Sequence, residues 1–155
     1  MPQLGKGGKF VFGWSKINQD NSVQFPIMAV DEYRIASEGQ IVLMSGSKAT
    51  GGFCVSRPGL LANSIMGNLF KEYPALCDNK KSESEIVRFK GRYYCTVPVT
   101  QNEQIVLNTP HLKCFDIKAG DKLLSIRGSN IAFVMGVKGP LINMANNYKG
   151  EIQVY

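Results

Sequence analysis

PVTQNEQIVLNTPHLKCFDIKAGDKLLSIRGSNIAFVMGVKGPLINMA, residues 98–145, reads as a diverged second copy of KINQDNSVQFPIMAVDEYRIASEGQIVLMSGSKATGGFCVSRPGLLAN, residues 16–63. An offset of about 82 residues places Gln19 on Gln101, Val23 on Ile105, Tyr33 on Phe115 and Ile35 on Ile117. Further on it places Gly46-Ser47 on Gly128-Ser129, Val55 on Val137 and Pro58 on Pro140. A one-residue slip in between brings Gly39 onto Gly120 and Leu43 onto Leu124. The entries correspond as well, Gly8-Lys9-Phe10 with Gly91-Arg92-Tyr93. An internal repeat is weighed before any local signal, because a small unit that cannot bury its own apolar face must bury it against a neighbour.

Within the first copy, Phe10–Ile17 is aromatic-rich and loosely alternating, as a half-buried strand is. Asn18-Gln19-Asp20-Asn21 is a polar turn, and Val23-Gln24-Phe25 a short strand ended by Pro26, which has no N–H for a ladder. Residues 27–34 predict a short helix with Ile27, Val30 and Tyr33 on one apolar stripe. Glu38-Gly39 turns the chain into the apolar strand Ile41–Met44, and Gly46-Ser47 opens a hairpin that returns through Gly52–Val55. The order is β-β-α-β-β. The second copy repeats it, with strands at Tyr93–Val99, Gln104–Leu107, Lys122–Ile126 and Ile131–Val137 and a helix near Pro110–Phe115.

Four segments follow: a first unit over 8–63, a connector over 64–87, a second unit over 88–147 and a tail over 148–155. A short helix is expected around Leu60–Phe70, a polar linker over Cys77–Ser84 and a last strand within Glu151–Tyr155. The chain of 155 residues can bury a core without disulfide staples, and a hydrophobic content of 44% with 19% charged residues excludes a disordered chain. No apolar run is long enough to span a bilayer. The start, MPQLGKGGKFVFGW, has no apolar signal-peptide core, so the expected location is the cytoplasm, with no membrane partner.

Cys54, Cys77, Cys95 and Cys114 form no closely spaced pair, and His111 is the sole histidine. Structural zinc needs such pairs, so the cysteines read as reduced and mostly buried, Cys77 being the most exposed. His111 reads as a surface histidine opening a helix rather than the base of a cysteine hydrolase, since no orienting partner or oxyanion hole is visible. Ser45–Gly52 lacks the spacing and following helix of a phosphate loop and reads as a hairpin turn. Trp14, Phe10 and Phe12 read as packing rather than as a stacking platform for single strands. No cofactor, metal or enzymatic activity is expected.

The short strand, proline, short helix, aliphatic turn glycine and aliphatic strand together resemble the AbrB/SpoVT swapped-hairpin family, related to MazE-type antitoxins. The residues that carry the resemblance are Asn21–Pro26, Tyr33-Arg34-Ile35 and Glu38-Gly39-Gln40 in the first copy. In the second they are Glu103–Leu107 and Phe115–Asp121, with Ile117–Leu124 the closest match. The resemblance implies a mainly β fold with short helices, made of tandem swapped-hairpin β-barrel units (β-β-α-β-β repeated). One chain then holds both halves as an intramolecular pseudo-dimer, or each unit pairs with its counterpart in a homodimer or higher homo-oligomer.

The resemblance further implies a transcriptional regulator that binds double-stranded DNA through arginines and lysines of the first strand, its turn and the helix. Carried over residue by residue, only Lys16 and Lys113 keep the family's charge. The arginine after the turn glycine falls on Ser22 and Gln104, and the helix pair falls on Val30-Asp31 and Leu112-Lys113. The other candidate cations are Lys6 and Lys9 before the first unit and Arg88, Lys90 and Arg92 before the second. Net charge is +6, and most of it lies in the second half of the chain. Cations near phosphates gain affinity by releasing counterions. The same segments also serve as solubilising charges that flank strands. The alternative to a regulator is a protein-interaction or oligomeric scaffold that kept the fold and lost the DNA face.

Overall fold

The computed structural model describes residues 3, 9–64, 67–77 and 83–155. The first half runs β1 (Val11–Lys16), β2 (Ser22–Gln24), α1 (Ile27–Tyr33), β3 (Gln40–Ser45) and β4 (Phe53–Ser56). The connector holds α2 (Pro58–Ala62), α3 (Asn68–Glu72) and a 3-10 turn at Pro74–Cys77. The second half runs β5 (Val87–Phe89), β6 (Arg92–Pro98), β7 (Gln104–Val106), α4 (Thr109–Cys114), β8 (Lys122–Arg127), β9 (Phe133–Gly136) and α5 (Pro140–Asn146).

The fold is mainly β with short helices. Seven strands make one antiparallel sheet in the order β1-β8-β9-β4-β3-β6-β5, and β2 pairs with β7 in a separate two-stranded sheet. This corrects the expected β-barrel units: the large sheet is open, because the three-residue strands β2 and β7 pair with each other and leave it. Strands of both halves interleave in it. β1 pairs with β8, β6 with β3 and β4 with β9.

The ladders carry the sequence offset. Lys16 faces Lys122 as Pro98 faces Gln40, and Val23 faces its own counterpart Ile105. Left-handed backbone recurs at matching places, Asn21 with Glu103 and Arg34 with Asp116. Two parts of the expected alignment are corrected. The ladders make Val42, not Leu43, the equivalent of Leu124, since Val42 pairs with Thr96 as Leu124 pairs with Trp14, so the one-residue slip ends at the glycine turn. The same ladders place Val55 on Met135 rather than Val137.

The inner face of the sheet, α1, α4 and the β2–β7 ribbon enclose the main core, where Phe25, Phe53 and Phe133 are fully buried. The outer face is covered twice. α2, α3 and the 3-10 turn bury Val42, Met44, Phe89 and Tyr94, whereas α5 and the tail bury Val11, Trp14, Leu124 and Ile126. Strand alternation produces both layers, since successive residues face opposite sides. The expected helix at Leu60–Phe70 is α2 and α3, two separate helices. The tail lies along the free edge of β1: Trp14 N–H donates to Gln153 O and Tyr155 N–H to Trp14 O, both at 2.8 Å. An edge strand left bare would invite pairing with another chain.

Ile27 departs from the expected stripe. It follows Pro26 and is 55% exposed, and α1 buries Ala29, Val30 and Tyr33 instead. His111 is also corrected. It is 1% exposed, because its Nδ1 accepts the Asn108 N–H at 3.1 Å and its ring stacks on Phe115. The cysteines are free thiols, Cys95 buried and Cys77 exposed.

Candidate nucleic-acid interface

Of the seven candidate cations, Lys6 lies outside the described residues. The other six, Lys9, Lys16, Arg88, Lys90, Arg92 and Lys113, are all exposed. None of them forms a salt bridge among the described residues, where Arg57 pairs with Glu38 and Arg127 with Glu32.

Arg88, Lys90 and Arg92 come together on one hairpin. β5 and β6 pair with Phe89 facing Arg92, and the turn is Lys90-Gly91, both at positive φ (48° and 82°). Two-residue hairpins favour such turns because their twist matches that of the strands. The Arg88 guanidinium lies 5.9 Å from the Tyr93 ring centre and the Lys90 ammonium 5.4 Å from that of Phe89. These ring contacts hold the cations over apolar surface while leaving them unneutralised. Tyr93 is itself 41% exposed, so the hairpin presents an aromatic ring between cations. Phe10, the counterpart of Tyr93, bridges Gln3 as Tyr93 pairs with Arg88, so Lys9 sits in the first half where Arg92 sits in the second.

Lys16 ends β1 directly across from Lys122. Like charges in register repel, and an anion would relieve them. The Lys122 ammonium lies 6.0 Å from the Trp14 ring centre. Lys113 stands alone in the last turn of α4. The candidate cations are therefore divided among separate places: Arg88, Lys90 and Arg92 share the β5–β6 hairpin at one edge of the large sheet, Lys16 lies on β1 at the opposite edge, and Lys113 lies on α4. Lys122 was missed: its charge is plain in the sequence, but the ladder that sets it against Lys16 joins residues far apart in the chain.

Of the remaining arginines, Arg34 is exposed just past α1, whereas Arg57 and Arg127 are engaged internally. Arg57 Nη1 lies 2.8 Å from Glu38 Oε2, and its Nε donates to Tyr33 O at 2.9 Å. Arg127 donates twice to Glu32 and lies over the Phe10 ring. Glu32 thus neutralises Arg127, and α1 presents Asp31 to solvent instead of the basic pair that the resemblance implies.

Other groups are held away from reaction. Burial pushes the Cys95 thiol well above its ordinary range, with Cys114 and Glu83 adding to the effect. Burial holds His111 below its ordinary value, against Glu83, which raises it. Burial likewise pushes the Tyr33 phenol up to about 12, while its O–H donates to Ser129 O at 2.7 Å. Among the described residues no group of three or more His, Cys, Asp or Glu could hold a metal ion, and no helix is long and apolar enough to cross a membrane.

No family model matches the chain, and no curated protein matches it.

Proposed function

We propose that the chain is a non-enzymatic, DNA-binding transcriptional regulator of the AbrB/SpoVT type, acting in the cytoplasm on double-stranded DNA. Its two units, 8–63 and 88–147, are tandem swapped hairpins that close on each other as an intramolecular pseudo-dimer, joined by the connector 64–87. The pairing of each first strand with the other half, β1 with β8 and β6 with β3, supports this arrangement.

One observation carries the DNA reading. The six described candidate cations are exposed and free of carboxylates, while Arg57 and Arg127 are spent on Glu38 and Glu32. Exposed, unneutralised cations are those that can exchange solvent for phosphate. Contacts of this kind position a duplex without reading its sequence.

The test is the double substitution Arg88→Ala with Arg92→Ala, assayed by fluorescence anisotropy on several unrelated duplexes. Binding should weaken on all of them alike, and the slope of log affinity against log salt should flatten by about 2. Unchanged affinity and slope would remove the hairpin from the DNA face.

A second reading, the interaction scaffold, is favoured by α1 alone. That helix exposes Ile27 (55%) and Met28 (44%) next to acidic Asp31, a surface suited to protein rather than phosphate. Absence of DNA binding by the unaltered chain would select it.

A further inference from the structure

On the outer face of the sheet, β8 and β9 leave a cleft of about 370 Å³ between themselves and α5, a size usual for small-molecule sites. Its floor is the cross-strand pair Ile126 and Val134, and one wall is Leu141 and Ile142 of α5. The opposite wall comes from the other half, where Thr50 O accepts Val137 N–H at 2.9 Å and Lys138 N–H at 3.1 Å. These bonds fix the wall in advance of any ligand.

The hollow depends on Gly136. Its counterpart by ladder register is Ser56, whose hydroxyl donates to Ile131 O at 2.5 Å and ties that side to the β8–β9 loop. Gly136 has no side chain, and a Cβ there would meet nothing closer than Thr50 at 3.6 Å. Two exposed cations, Lys9 and Lys138, also line the cleft, and neither has a salt-bridge partner among the described residues. Arg127 lines it too, but Glu32 already neutralises it.

We propose that this cleft binds a free, single-chain amphiphile with an anionic end, of the kind represented by a medium-chain carboxylate. The aliphatic chain lies over Ile126 and Val134 against α5, and the carboxylate meets Lys9 and Lys138. An inorganic anion would leave the apolar floor wet, and a neutral chain would leave the two cations uncompensated. Each part of the ligand therefore answers a separate part of the site.

The test is calorimetric titration of the full chain, without DNA, using decanoate, 1-decanol, inorganic phosphate and anionic phospholipid vesicles. Decanoate should saturate one site and weaken with salt, while decanol binds about tenfold less tightly and phosphate not measurably. Lys9→Gln with Lys138→Gln should weaken decanoate about tenfold and leave decanol unchanged. Gly136→Leu, with folding checked by circular dichroism, should abolish binding by filling the hollow. Because the lysine pair is on the surface, its result stands even if the filled variant fails to fold. Equal affinity for decanol and decanoate, unsaturable binding, an unaffected lysine variant, or binding to vesicles alone would overturn the proposal. Lys9 also belongs to the proposed DNA face, so leaving DNA out keeps failure of either reading separately visible.

Discussion

His111 links the start of α4 to the core. Asn108 Oδ1 accepts the His111 N–H at 2.8 Å while His111 Nδ1 accepts the Asn108 N–H, a reciprocal cap in which histidine takes the place of the usual glutamate. Asn108→Ala should cost about 1 kcal/mol in a urea titration. An accepting Nδ1 fixes the neutral ring with its proton on Nε2, a buried atom without a hydrogen-bond partner. The sign of the pH dependence follows from burial, which lowers the folded pKa of His111 below the ordinary 6.5. Its contribution is fully present above pH 6.5 and is lost as pH falls below that value through the folded pKa. Stability measured between pH 8 and 5 should therefore drop on the acid side, and His111→Gln should flatten that drop. A slope that persists unchanged in the variant would assign it to other groups. The helix start was legible from Pro110, which suits the first turn of a helix, but the cap was not. The burial was not, because it depends on Phe115 and on segments distant in the chain.

At the scale of elements, hairpin lengths decide how the halves meet. Seven residues, 46–52, join β3 to β4, and five, 128–132, join β8 to β9. The shorter loop shifts β9 by two residues, and Val137 to Gly139 restore the offset before Pro140. Similarity matching could place Pro58 on Pro140 but could not see the compensating shifts, which only ladder partners reveal. The longer loop ends at Gly52, whose φ is +64° and whose added Cβ would meet Met135 O at 2.1 Å. Gly52→Ala should destabilise by roughly 2–4 kcal/mol, combining left-handed strain with a clash against rigid backbone. Gly120→Ala is the control: φ is +94° but nothing lies within 4 Å, so only about 1–2 kcal/mol of strain is expected. Equal losses at the two positions in thermal unfolding would mean that the β4–β9 seam is not closely packed. Strand positions were readable from period and turn residues, whereas β5 and α5 were not, since Val87–Phe89 is too short for a period and residues 140–146 span less than two full turns.

The large sheet joins the two halves at three seams, β1–β8, β9–β4 and β3–β6, and two layers cover its outer face, α2 with α3 over one part and α5 with the tail over the other. The inner core was legible as two apolar patterns seeking a partner. The outer layers were not, because Val42 and Met44 sit in the continuous apolar run Ile41–Met44, and Leu124 and Ile126 flank Ser125 in a mostly apolar one, and neither run says what covers the second face. The candidate cations were legible as charges, but their freedom from carboxylates emerges only once Arg57 and Arg127 are paired. With a net charge of +6 and all six described candidate cations exposed and outside salt bridges, DNA affinity should be dominated by counterion release. The most direct test is anisotropy of a random-sequence duplex pool titrated with the unaltered chain over a salt series. If all six cations meet phosphate, log affinity should fall against log salt with a slope of about −5. No binding at the lowest salt would contradict the regulator and leave the interaction scaffold in its place.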